Sequence, residues 1–373
     1  MKKQIKEALT ILNDKGYEAF LVGGAVRNSL LNKKVTDYDI TTNADQNAIK
    51  MCFSNYAQYD IGKSLGTVIV IINKVKIDIT PYRKEGDYTD HRRPDSITYT
   101  TDLKQDLKRR DFTINALCMN KEEEVIDYFG GIQDLENKQI KAIGNPDTRF
   151  KEDGLRILRA LRFKSKLNFD IETKTNESIF KNKDLLTYIS NERKKDELLQ
   201  ILCNKNAFKV INEYLDVFNT FMSIEKIERK QNDFSNPLYS LAYILIDNNL
   251  NNLKELKYSK AEIELINSLK EASKIDINND YELISCLSSI YQKDILRYLN
   301  ELYHQDFTER YNRLNKYMVM LNDLKIDGTT IKEFGYEGKQ IKKVKNTLLE
   351  LIHRKKLANN KASLIRYLRN AII

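Results

Sequence analysis

The sequence predicts an α+β protein: a small sheet with attached helices in residues 1–138, then a chain that is almost wholly helical. Two observations carry this. Thr67–Ile72 and Val75–Thr80 are β-branched runs joined by Asn73-Lys74, a hairpin pattern. From about Ile140 onward the apolar residues recur at three- and four-residue spacing, as in Leu155, Leu158 and Leu161 or Ile284, Leu287 and Ile290, and strand alternation disappears. A length of 373 residues with 41% hydrophobic residues suits two to three domains with real cores.

The N-terminal elements follow in order. Residues 3–14 read as a helix, Glu18 to Val22 as a strand ending at Gly23-Gly24, and Val26 to Leu31 as a short helix. Asp37 to Thr41 reads as the next strand, followed by the hairpin. In the helical remainder only Pro146 and Pro237 interrupt, and the polar stretch Arg229 to Ser235 before Pro237 reads as an inter-helix loop. No internal repeat of fixed period is present.

Composition narrows the function classes. No stretch approaches the roughly 20 apolar residues of a bilayer crossing, and the lysine-rich N-terminus leads into no signal-type apolar run, so no membrane association and a cytoplasmic location are expected. Cys52, Cys118, Cys203 and Cys286 are far apart and form no CxxC pair; they read as small buried hydrophobes, not as zinc ligands or disulfides. His91, His304 and His353 are equally scattered. The net charge of +9 and pI near 9.0 favour a polyanionic partner, nucleic acid first. The C-terminal segment concentrates this charge, with Lys342, Lys343, Lys345, Arg354, Lys355, Lys356, Lys361, Arg366 and Arg369 against Glu350 alone. Such a face suits RNA, although a solvated helix surface in a lysine-biased chain reads the same way.

The richest stretch is Val22-Gly23-Gly24, twelve residues, then Asp37-Tyr38-Asp39-Ile40. Side chains two apart in a strand project from one face, so Asp37 and Asp39 present adjacent carboxylates, a costly pair unless cations neutralise it. Mg²⁺ prefers carboxylate and phosphate oxygens, and two such ions clamp the attacking and leaving oxygens of an in-line phosphoryl displacement. Gly23-Gly24 before a helix lets backbone N–H groups approach a triphosphate, and Arg27 adds a charged contact. Asp78, alternating with apolar neighbours on the hairpin, is either a third carboxylate of this site or a solvent-facing strand residue.

Further along, Asp111 sits among arginines in Arg109-Arg110-Asp111 and so can hold a guanidinium in place for phosphate or sugar. In Glu152 to Phe163, Asp153, Arg156, Arg159 and Arg162 recur every three residues and are expected on one helical stripe beside Leu155, Leu158 and Leu161. That stripe is either a salt-bridged face or a reader of bases. Cytosine and adenine both pair an amino donor with a ring-nitrogen acceptor, which an accepting Asp and a donating Arg complement, whereas uracil and guanine are mismatched to them.

Together these stretches resemble the polymerase β-type nucleotidyltransferase superfamily and, through Leu21 to Thr42, the class II CCA-adding tRNA nucleotidyltransferases and bacterial poly(A) polymerases. Asn28 departs from the pattern, which usually has Asp after the arginine. Arg109 to Ala116 resembles the second motif, in which Arg110 matches the arginine that contacts the nucleotide. Asp127 to Gly131 resembles the third, a hinge, and Glu152 to Phe163 the nucleotide-selecting motif, in which Asp153 and Arg156 match the base readers and Arg159 and Arg162 lie near the nucleotide. Ser190 to Arg193 with Glu197-Leu198 resembles the fifth, a bracing helix, and Gly335 to Gly338 a short glycine motif of the tail. Arg83 through Ile97 resembles the flexible loop that complete CCA-adding enzymes possess and CC-adding ones lack.

The resemblance implies a head with a small mixed sheet at 1–138, a nucleotide-selecting neck at 139–205, and a body at 206–305 and tail at 306–373 that bind the acceptor arm of tRNA. It implies two Mg²⁺ ions on Asp37 and Asp39, CTP and ATP contacted by Gly24, Arg27, Arg110, Asp153, Arg156, Arg159 and Arg162, and template-independent CCA addition to the tRNA 3′ end with release of pyrophosphate. A poly(A) polymerase, a partial CC- or A-adding enzyme and a non-catalytic RNA-binding protein on the same scaffold are the alternatives.

Overall fold

The computed structural model describes residues 1–61, 66–86, 96–228, 230, 233–248, 252–315 and 319–371. The chain divides into two compact units, Met1–Lys226 and Ile227–Ile373, and this boundary falls inside the span expected for the body.

The first unit opens with helix α1 (Lys3–Asp14), strand β1 (Ala19–Val22) and helix α2 (Gly24–Leu30). In α1 the residues at three- and four-spacing, Ile5, Ala8, Leu9 and Leu12, have no exposure at all. Then come β2 (Asp39–Thr42), α3 (Gln46–Cys52), β3 (Ala57–Ile61), β4 (Thr67–Ile72) and β5 (Val75–Pro81). Between β4 and β5, Asn73 and Lys74 both take positive φ, 46° and 66°, the two-residue turn whose twist matches antiparallel strands. Short strands β6 (Arg83–Glu85) and β7 (Ile97–Tyr99) pair antiparallel, and α4 (Leu103–Lys108), β8 (Cys118–Met119), β9 (Val125–Ile126) and α5 (Gly131–Glu136) complete the sheet region. Of the expected loop from Arg83 to Ile97, residues 87–95 lie outside the described residues.

The main sheet has seven strands in the order β3-β4-β5-β2-β1-β8-β9. It is mixed: β2 and β5 run parallel and the other neighbouring pairs antiparallel. The sheet is larger than the sequence pattern indicates. β3 is an edge strand with polar Gln58 and Asp60, and β8 and β9 have two residues each, too short for an alternation to register.

Beyond the sheet, β10 (Gln139–Ile140) and β11 (Asp170–Ile171) form a small parallel pair inside the stretch expected to be helical. Helices α6 (Pro146–Glu152), α7 (Leu155–Leu167), α8 (Thr173–Lys181), α9 (Asn191–Leu202), α10 (Ala207–Glu213) and α11 (Leu215–Phe218) make up the rest of this unit. Asp153 is not on the α7 stripe as expected. It caps the end of α6 in extended geometry (φ −142°, ψ 104°), because α6 ends at Glu152 and α7 begins only at Leu155. Leu155, Leu158 and Leu161 do face the core, at 6%, 0% and 0% exposure.

The second unit contains α12 (Pro237–Ile244), α13 (Lys260–Ala272), α14 (Asp280–Leu287), α15 (Gln292–Tyr303), α16 (Thr308–Asn315), α17 (Gly328–Lys332), α18 (Lys339–His353) and α19 (Lys361–Ala371). The loop expected before Pro237 falls partly outside the described residues, and Asn236 caps α12 with Pro237 in its first turn. Helix α14 ends at Leu287, so Ile290 is 77% exposed and does not continue the buried series of Ile284 and Leu287. Leu348, Ile352, Leu364 and Leu368 of α18 and α19 share a core with Ile331, which leaves Lys342, Lys343, Lys356, Arg366 and Arg369 exposed. Of the cysteines only Cys118 is buried; Cys203 is exposed and Cys52 and Cys286 are half-buried, against the expectation for all of them. Among the described residues no helix is long and apolar enough to cross a membrane.

Candidate active site

The site begins at the end of β1. Gly23 takes φ 72° and ψ −131°, a conformation that strains any side chain, and a Cβ there would stand 3.3 Å from Arg110 Nη1. This turn starts α2 and carries Arg27 into the protein, where it is 4% exposed. Arg27 donates to Asn115 Oδ1 and, from Nε at 3.2 Å and Nη2 at 3.0 Å, to Asn28 Oδ1. The amide oxygen of Asn28 therefore supplies the acceptor that an Asp would provide, without its charge.

Strand β2 starts at Asp39, two residues later than expected, so Asp37 stands in the approach to it. The alternation nevertheless extends backwards, with Asp37 and Asp39 exposed and Tyr38 and Ile40 buried, because the Tyr38 carbonyl accepts Asp78 N–H at 2.9 Å. Both carboxylates thus face the same side. Asp78 is the register partner of Asp39 across the parallel β2/β5 pair, and its carboxylate is 3.2 Å from Lys76 Nζ. Burial of its inner side raises the Asp39 carboxyl above its usual range, Arg110 opposes this, and Asp78 and Asp37 add to it.

A cleft of about 1090 Å³ collects every residue expected of the site: Gly24, Arg27, Asp37, Asp39, Arg110, Asp153, Arg156, Arg159 and Arg162 all line it. Asp78 is not among the lining residues. Asp111 is the internal anchor of the arginines. Its Oδ1 accepts Phe112 N–H at 2.8 Å and Asn115 Nδ2 at 2.9 Å, and its Oδ2 accepts Arg159 Nε at 2.8 Å and Nη2 at 2.5 Å. Burial alone would raise its carboxyl; Arg159 and these donors outweigh burial and hold it at about 2. Arg27 is lowered to about 10 by burial, partly offset by Asp111. The ring of Phe163 lies under three guanidinium groups, those of Arg162 at 4.9 Å, Arg27 at 5.0 Å and Arg159 at 5.8 Å from its centroid.

Helix α9 braces this wall with two ion pairs, Arg193 Nη2 to Asp153 Oδ2 at 2.9 Å and Glu197 Oε1 to Arg162 Nη1 at 3.2 Å. Arg156 is 7% exposed and donates to Glu152 Oε2 at 2.5 Å, to the Arg149 carbonyl at 3.1 Å and to the Arg109 carbonyl at 2.9 Å. Asp153 and Arg156 line one cleft but pair with other partners, not with each other.

Comparison with known proteins places the chain in a family. Residues 19–141 match the family described as the Poly A polymerase head domain, and residues 168–216 the one described as the probable RNA and SrmB-binding site of polymerase A. Over 301 residues the chain is 35% identical to the CCA-adding enzyme of Staphylococcus aureus, covering 79% of this chain and 72% of that protein. The chain belongs to the family of CCA-adding enzymes. It is also 43% identical over 214 residues to the family member of Bacillus velezensis, and spans about half of that protein's length (54%). The fold is that of the Bacillus stearothermophilus CCA-adding enzyme solved in complex with CTP (TM-score 0.74, 23% identity, 100% of this chain and 98% of that one). It is shared with the Thermotoga maritima CCA-adding enzyme complexed with tRNA (TM-score 0.62, 19% identity, 100% and 97%). The Poly A polymerase head match of this CCA-adding family member falls on the seven-stranded sheet that carries Gly23, Gly24 and Asp39.

Several residues that shape the cleft or pack behind it are not singled out by the sequence. Phe163, Asn115 and Asp106 carry no pattern by themselves, since a buried Phe, Asn or Asp in a helical or turn segment has no distinguishing spacing. Arg193 and Glu197 belong to the expected brace, and their partners Asp153 and Arg162 emerge only from the packing of α9 against α7 and the junction before it. The Asp127 motif is a turn: its carboxylate accepts Phe129, Gly131 and Ile132 N–H groups at 3.0, 3.0 and 2.9 Å, fixing the start of α5.

Proposed function

We propose that this protein builds or repairs the 3′-terminal CCA of tRNA from CTP and ATP without a nucleic-acid template. The observation that carries the reading is the joining, in one cleft, of the Asp37/Asp39 edge, the Gly23-Gly24 turn and a wall of arginines that includes Asp153 and Arg156. Names of relatives support it: they are CCA-adding enzymes, and solved neighbours hold CTP or tRNA.

Enzymes of this family generally use divalent metal ions. Among the described residues no three His, Cys, Asp or Glu side chains gather as a closed metal cage. Two adjacent exposed carboxylates fit a hard cation that completes its shell with water and triphosphate oxygens, and we assign two Mg²⁺ ions to Asp37 and Asp39. When bound, the ions supply charge neutralisation at the attacking and leaving oxygens. Asp37 and Asp39 orient the RNA 3′-hydroxyl against the nucleotide α-phosphate. Backbone N–H groups at Gly24, with Arg27 and Arg110, hold the triphosphate and sugar, and Arg159 and Arg162 lie close to the nucleotide.

For base selection, Asp153 Oδ2 accepts one hydrogen bond from Arg193 and keeps lone-pair capacity, and Arg156 Nη2 uses one of its N–H groups on the Arg109 carbonyl. The remaining acceptor and donor match the shared edge of cytosine and adenine. We assign residues 1–138 to the head, 139–205 to the neck, and 206–305 and 306–373 to a body and tail that grip the acceptor arm of tRNA through phosphates and shape, in the cytoplasm.

The test incubates the protein and Mg²⁺ with tRNA lacking its last three nucleotides. With CTP and ATP together, three additions are expected, and none with Asp37→Ala. A ladder from ATP alone would make the protein a poly(A) polymerase, and arrest after two C residues a partial enzyme. No extension under any condition would reject transferase function.

A further inference from the structure

One buried carboxylate at the edge of the site has no role in the reading above. Asp106, in α4, has no exposure, yet it is charged: burial by itself would raise its carboxyl, and Arg109 and Arg110 bring it below the usual range instead. Groups from several elements converge on its two oxygens. Oδ2 accepts Thr41 Oγ1 of β2 at 3.0 Å; Oδ1 accepts Arg83 N–H of β6 at 3.2 Å and Arg109 Nε and Nη2 at 3.0 and 2.8 Å. Arg110 Nη2 lies 3.5 Å from Oδ2.

Arg83, Arg109 and Arg110 of this group all line the cleft, and Arg110 is the one assigned above to the nucleotide. It lines the cleft, packs its Nη1 over Gly23, and has a buried Nε with no hydrogen-bond partner. Its charge is also felt by Asp39. Remove the Asp106 charge, and the carboxylates left to draw Arg110 are Asp39, on the strand that Thr41 ties to Asp106, and more weakly Asp111. The Arg109 carbonyl, placed by the bidentate Asp106–Arg109 contact, also accepts Arg156 Nη2 at 2.9 Å. Asp106 is thus joined to the triphosphate side of the cleft through Arg110 and to the base side through Arg109.

We propose that Asp106 is a positioning residue for the incoming nucleotide, holding Arg110 free of Asp39 and seating the Arg109 carbonyl under Arg156. The role rests on the nucleotidyl-transfer reading. It acts on nucleotide affinity, because the residue touches no reacting atom.

The experiment measures equilibrium binding of CTP to the full chain without RNA, alongside steady-state kinetics with CTP and thermal melting. Asp106→Asn is expected to weaken CTP binding and raise its KM by about tenfold, with kcat within about threefold, since a charge-assisted contact is lost indirectly. Combined with Arg110→Gln, it should add no more than about twofold to the loss that Arg110→Gln causes alone. Unchanged CTP binding, or fully additive losses, would overturn the proposal. Should Asp106→Asn fail to fold, Asp106→Glu, which keeps the charge but displaces it, carries the same comparison: weaker CTP binding supports the role and unchanged binding refutes it. A wild-type protein that binds CTP but never extends tRNA would sink the transfer reading alone, whereas an active wild type with unaltered CTP affinity in the variants would sink only the role of Asp106.

Discussion

Single side chains at this site are held by charge more than by shape, and Asp111 makes the point most directly. Its carboxyl is kept at about 2, against about 4 for an ordinary aspartate, by Arg159 and two further donors, Phe112 N–H and Asn115 Nδ2. A carboxyl depressed in the folded state stabilises above the ordinary range and loses that contribution as pH falls towards its folded value. Asp111→Asn is therefore expected to cost about 2 kcal/mol at neutral pH, and the difference from wild type should shrink between about pH 4 and pH 2. Urea unfolding across that range checks it; a gap that stays constant would show that the charge is not what Asp111 contributes. The residue types of this network are readable, because an Asp directly after two arginines announces an ion pair. Its partner was not: Arg159 is forty-eight positions away, and only the packing of α7 against the Asp111 turn brings them to 2.5 Å.

Elements are positioned by close backbone approach at a few places. Gly131, the first residue of α5, lies so near the turn at Thr113–Asn115 that a Cβ would stand 2.4 Å from the Thr113 carbonyl oxygen. Gly131→Ala must move backbone, not a flexible side-chain end, and is expected to destabilise the first unit by about 1–3 kcal/mol. An unchanged melting temperature would mean that the turn and α5 separate easily. At this scale the alternating hairpin and α1 are legible to within one residue, because one buried face imposes a period of two or of three to four. β3, β8, β9 and the β10/β11 pair were not, since edge strands and two-residue strands are set by their neighbours and not by their own pattern. The break at Gly154 likewise escaped a reading based on period, as three-residue spacing continues across it while the helix does not.

Over the whole chain, the excess of positive charge and the exposed lysines of α18 predict salt-sensitive RNA binding. Neutralising phosphates displaces counterions, so affinity for tRNA should fall steeply between low and physiological salt. Replacing Lys342 and Lys343 together by Gln should weaken tRNA binding and reduce the slope of log affinity against log salt by about one to two, while leaving CTP binding unchanged. A filter-binding titration at several salt concentrations decides it, and an unaltered slope would place the RNA elsewhere. The sequence by itself determined the α+β class, the change to helix near Ile140 and the candidate carboxylates and arginines, because these depend on periodicity and on residue chemistry carried within short stretches. Tertiary structure alone decided which of those charges meet. Asp153 pairs with Arg193 and not with Arg156, Asp106 gathers Thr41 with Arg109 and Arg110, and Phe163 lies under three guanidiniums, since long-range pairing in a low-dielectric cleft follows from how sheet and helices pack and leaves no trace in local spacing.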